Sequence, residues 1–105
     1  MNVRFSPQGV RFRITRDELE QLFSGRAVVM HVALPGQHAF QASVAPDKFG
    51  SWRLDSDPTG MWLAIPRTQL DTFAGGVPTA EGLTHSFELA NGGSLELSFE
   101  VDIQA

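Results

Sequence analysis

The chain has 105 residues and a mass of 11.5 kDa, which predicts a single domain over 1–105. Its 42% hydrophobic and 19% charged residues are globular composition, and the absence of cysteine excludes a disulfide framework, a thiol nucleophile and any Cys-ligated metal. A net charge of −4 and a pI near 5.2 argue against a nucleic-acid binder, whose affinity rests on neutralising phosphates. No apolar run approaches the ~18 residues of a membrane span, and no secretory leader is visible. The expectation is a soluble cytoplasmic domain with no membrane partner.

The first predicted element is a hairpin turning at Ser6-Pro7-Gln8-Gly9. A short polar side chain, then Pro, then Gly at the fourth place is the type I preference, because Pro presets φ. The turn pairs Phe5 with Val10 and Val3 with Phe12. Val10, Phe12 and Ile14 alternate with Arg11 and Arg13, which makes one face apolar and the other charged. Thr15-Arg16-Asp17-Glu18 then reads as a capping box, opening a helix whose Leu19, Leu22 and Phe23 share a face. Gly25 ends it. Val28, Met30, Val32 and Leu34 match Phe40, Ala42 and Val44 as a second hairpin around Pro35-Gly36-Gln37. Ala45–Gly50 reads as a linker.

The pattern then repeats. Shifted by 51 residues, Met1–Gly25 falls on Trp52–Gly76 with six identities: Pro7/Pro58, Gly9/Gly60, Ile14/Ile65, Arg16/Arg67, Leu19/Leu70 and Gly25/Gly76. Asp57-Pro58-Thr59-Gly60 is the second hairpin turn, pairing Ser56 with Met61 and Leu54 with Leu63, and Trp52 with Ile65 beyond them. The second helix carries Leu70, Phe73 and Ala74, begins at Pro66 without a side-chain cap, and stops at Gly75-Gly76. Leu83, His85, Phe87 and Leu89 face Leu95, Leu97, Phe99, Val101 and Ile103 around a loop placed at Asn91-Gly92-Gly93, with Gly93 left-handed. The fold class is therefore α+β, an internal duplication of a strand-strand-helix-strand-strand unit with pseudo-repeats at roughly 1–45 and 51–105. Eight mainly antiparallel strands form either a closed barrel or two facing sheets, with two short helices.

These segments resemble a family of small uncharacterised bacterial proteins of about this length, a domain of unknown function. The resemblance rests on Val10-Arg11-Phe12-Arg13-Ile14-Thr15 through Leu19, Leu22 and Gly25, on Gly60–Gly76, and on the Gly-rich closing hairpin Gly92–Asp102. It implies the fold and a bacterial origin, and no activity.

Candidate chemistry is sparse. His31 and His38 flank one loop and His85 is placed on the apolar face opposite Phe99; none has the helical spacing of a zinc site, so they read as packed or loop residues. Glu96, Glu100 and Asp102 lie on the polar face of the last strand, with Glu88 placed opposite Glu96 and Arg11 and Arg13 as counter-charges. Arg16 and Arg67 recur at the first helical turn, where a cation opposes the helix dipole. Either each folds onto a carboxylate or the two form an anion site. Trp62 projects away from the core, beneath a helix or as an interface anchor. There is no G-x-S-x-G, P-loop, G-x-G-x-x-G or EF-hand loop.

Two functions fit. The first is a non-catalytic interaction module, without cofactor or catalytic residues, that takes a protein partner or a second copy, with the final strand as a docking edge if it is one. The second is an anion-binding or metal-assisted phosphohydrolase barrel. There Arg4, Arg11, Arg13 and Arg53 would hold phosphate and Glu96, Glu100 and Asp102 a divalent ion.

Overall fold

The computed structural model describes residues 1–36, 38–73 and 82–102. Strands β1 (Asn2–Ser6) and β2 (Gly9–Ile14) lead into helix α1 (Arg16–Phe23), then β3 (Val28–Leu34) and β4 (His38–Asp47). Strands β5 (Arg53–Asp57) and β6 (Gly60–Pro66) follow, then α2 (Arg67–Leu70) with a 3-10 turn over Asp71–Phe73, then β7 (Leu83–Glu88) and β8 (Ser94–Val101). The strands form two four-stranded sheets, β1-β2-β8-β7 and β3-β4-β6-β5. Their buried faces meet in a single core holding Phe12, Ile14, Leu22, Val44, Leu63, Ile65, Leu70, Leu97 and Phe99, all at most 2% exposed. The sheets are not closed into a barrel, so of the two expected architectures the facing sheets are the one observed.

Local signals account for each hairpin. The registers Phe5↔Val10 and Val3↔Phe12, and Ser56↔Met61 and Leu54↔Leu63, are those the turns predict. The expected Trp52–Ile65 pair lies beyond the observed register, which starts at Arg53↔Ala64. The Thr15 hydroxyl accepts from Glu18 N at 3.1 Å and Glu18 Oε1 accepts from Thr15 N at 2.9 Å, completing the capping box. Gly25, at φ 88°, follows the end of α1 in the left-handed region. Pro66 provides no side-chain cap for α2.

Each helix carries the chain from one sheet to the other. As a result, the first hairpin of one half lies beside the second hairpin of the other half. The junction strands are parallel, β2 with β8 and β4 with β6. Exchanging the first four strands with the last four turns one sheet's order into the other's. The registers agree as well. Gly9 stands beside Glu96 as Gly60 stands beside Gln41. Glu96 N donates to Gln8 O at 2.9 Å as Gln41 N donates to Thr59 O at 3.0 Å.

Three expectations need correction. β4 runs to Asp47, so Ala45, Pro46 and Asp47 belong to a strand, and the connection to β5 is only 48–52. The closing hairpin turns one position earlier than expected. Leu89 N donates to Gly93 O at 2.8 Å and the left-handed glycine is Gly92, at φ 90°, not Gly93. That moves the register by two: His85 pairs with Leu97, Leu83 with Phe99, and Glu88 with Ser94. A shift of two preserves which face each side chain occupies, so the apolar pattern survives. Ala74, Gly75, Gly76 and Ile103 lie outside the described residues.

Candidate functional site

With the apolar faces turned inward, the charged side chains of the strands lie on the two outer faces. The outer face of the first sheet is charged. Arg4 on β1 and Arg11 on β2 stand directly opposite each other, and Arg13 pairs in parallel with Glu100. Glu100 lies between two arginines, 3.7 Å from the Nε of Arg11 and 3.7 Å from that of Arg13. Ser86 Oγ donates to Glu96 at 2.8 Å. The expected pairing of Glu88 with Glu96 is absent; Ser86 holds that place, which removes the like-charge clash. Asp102 follows β8, its N–H donating to Ile14 O at 2.8 Å. Arg11, Arg13, Glu96, Glu100 and Asp102 thus share one surface, with Glu88 at its β7 edge. Arg4, Arg11, Glu96 and Ser98 line a groove of about 440 Å³ beside the first turn.

The second sheet uses the same registers with different residues. Trp62 and Ala64 stand where the first sheet has Arg11 and Arg13; Gln41 and Ala45 stand where it has Glu96 and Glu100. Between Val29 and Ala33 on β3, Ala39 and Ala45 on β4, and Gly60 and Ala64 on β6, the outward positions carry no charged side chain. Charge returns at the end of β4 with Asp47 and on β5 with Arg53, Asp55 and Asp57. Trp62 is half-buried, and the apolar residues of the described helices, Leu19, Leu22, Leu70 and Phe73, are turned into the core instead of onto it. Its ring lies along the backbone of Gly60, close enough that a Cβ there would sit 3.1 Å from it, and its neighbour Ser43 is buried.

The two recurring helix arginines are not equivalent. Arg67 Nη2 donates to Phe23 O at 2.9 Å and its Nε lies 3.4 Å from Asp71, whereas Arg16 is exposed on α1. His85 stacks on Trp52, centroids 5.0 Å apart, and meets Phe87 edge-on. His31 is exposed on β3; the side chain of His38 lies outside the described residues. Among the described residues no group of three His, Asp or Glu side chains could hold a metal ion. None of the described helices is long and apolar enough to cross a membrane.

What residue-by-residue reading missed is the edge strand β3. Of six large hydrophobic residues exposed among the described residues, three lie on it: Val29 at 45%, Val32 at 40% and Leu34 at 37%. The signal was present in Val28-Val29-Met30-His31-Val32-Ala33-Leu34, which lacks the alternating polar residues of a half-buried strand. The final strand β8, by contrast, is interior to its sheet and offers no edge.

The fold and its two unlike outer faces define a small α+β protein of two mixed sheets. The chain belongs to a family of unknown function, DUF7009, whose model matches residues 1–105. No curated protein and no solved structure matches it.

Proposed function

We propose that the protein is a non-catalytic interaction module of the bacterial cytoplasm, built by duplication, that offers its second sheet to a protein partner. One observation carries this reading: in two sheets of the same order and register, the central outer positions hold Arg11, Arg13 and Glu100 in one and Trp62, Ala64 and Ala45 in the other. Backbone requirements are the same in both, so the lack of charge at these central positions reflects what that face meets. Depletion of charge around an aromatic residue is the composition of an interface centre. The test is capture of binding proteins by the immobilised full chain. Binding is expected to fall on Trp62→Arg and to survive Arg11→Ala. The reverse pattern, or no bound protein at all, would overturn the reading.

A second reading rests on the groove beside Arg4 and Arg11, two cations facing each other across adjacent strands and suited to an anion. It loses the barrel interior first expected, because the sheets do not close and the charged side chains face outward. A thermal-shift screen with divalent cations, nucleotides and polyphosphates separates the two, since a ligand at ~100 times its Kd adds ~2.7 kcal/mol. A shift abolished by Arg4→Ala or Arg11→Ala would install the anion reading.

A further inference from the structure

Each sheet has two edges, and three of the four carry charge: Arg4 on β1, Arg53, Asp55 and Asp57 on β5, and Glu88 on β7. Charged residues on an edge prevent its unpaired N–H and C=O groups from recruiting another strand. β3 has no such guard. It is an edge of seven residues with no charge and no proline, and from His31 to Leu34 every position is exposed.

We propose that β3 is the site of self-association, pairing antiparallel with β3 of a second copy about a twofold axis at His31. This goes beyond the interaction-module reading: it uses the β3 edge and not the face around Trp62, and its partner is a second copy. A twofold axis that makes two edge strands antiparallel must stand normal to the sheet, so residues placed opposite each other point to the same side. Full overlap of a strand spanning Val28–Leu34 then centres on His31. On the core side Val32 meets Met30 of the second copy and Leu34 meets its Val28. On the outer side Val29 meets its Ala33. Every exposed hydrophobic residue of the strand gains an apolar neighbour, and the two sheets become one of eight strands.

Charge favours a second copy over an unlike partner strand bearing charge. Two molecules of net charge −4 repel at most approaches, yet this edge brings no charged residue of either copy opposite another. The two His31 side chains lie across from each other on the outer side, and within each copy His31 faces Gln41 on β4.

The experiment is sedimentation of the purified full chain over a concentration series. The expected result is a dimer that dissociates on dilution. Val32→Lys should give a folded monomer, with its circular dichroism unchanged. His31→Val, which keeps the edge free of charge, should remain dimeric. Because the chain has no cysteine, His31→Cys supplies a single thiol, which should form an intermolecular disulfide under mild oxidation while Arg11→Cys does not. A dimer that survives Val32→Lys and fails to cross-link through His31→Cys would overturn this geometry. A strict monomer at every concentration would overturn self-association. If that monomer still bound another protein through Trp62, the interaction-module reading would stand without it.

Discussion

Arg67 Nη2 donates to the carbonyl oxygen of Phe23 across 2.9 Å, joining positions 44 residues apart. Phe23 is the last residue of α1, where carbonyls lack intrahelical partners. The first residue of α2 therefore caps the end of α1. The guanidinium also lies 6.0 Å from the centre of the Phe23 ring. The two segments that carry the chain between sheets are tied directly to each other.

Arg67→Met keeps the aliphatic stem and removes the donors. The hydrogen bond is partly exposed, so the loss should be about 1 kcal/mol. That lowers Tm by roughly 4–8 °C in a domain of this size, read by thermal denaturation. Arg16→Met, which removes an exposed side chain from α1, should leave Tm nearly unchanged.

Gly9 and Gly60 provide a matched pair. A Cβ on Gly9 would lie 2.5 Å from Glu96 O, and one on Gly60 would lie 2.5 Å from Gln41 O. Neither glycine has positive φ, so the requirement is close approach at the parallel junction. Gly9→Ala and Gly60→Ala should each cost about 1–3 kcal/mol in urea unfolding. Gly25, left-handed with nothing within 4 Å, should instead accept Asn at a smaller cost.

The capping box makes α1 sensitive at its start. Thr15→Ala removes the acceptor for Glu18 N and should cost about 1 kcal/mol. Thr15→Ser should restore most of it. At α2 the equivalent position is Pro66, with no side-chain bond to lose.

In the second hairpin turn, the Thr59 hydroxyl and then the Thr59 N–H donate to the Asp57 carboxylate, at 2.6 and 2.7 Å, and hold its pKa below the ordinary carboxylate value. A depressed folded pKa means the contribution is present above the unfolded pKa and is lost as pH falls through the folded one. Thr59→Val should move the Asp57 titration upward, followed by NMR of the carboxyl carbon. The stability difference between wild type and Asp57→Asn should shrink only in acid below the ordinary carboxylate range.

Much of the first sheet's outer face was legible, because Arg11 and Arg13 alternate with core residues and must share a face with the acids of β8. That Glu100 takes both arginines follows from a parallel pairing between strands more than 80 positions apart, for which no local pattern exists. Trp62 was placed on an outer face by alternation alone. Whether a helix covered it depended on where the helices pack, and they pack inside.

Sequence alone determined the hairpins, their turn residues and the cap of α1, because each depends on backbone preferences within a few residues. Even the misplaced closing loop kept its faces, since a register change of two leaves alternation intact. Tertiary structure decided which hairpin lies beside which. Burying both apolar faces in one core required the helices to carry the chain across, so strands from opposite halves became neighbours. That pairing put β8 inside its sheet and left β3 at an edge, the one edge without a charge to guard it.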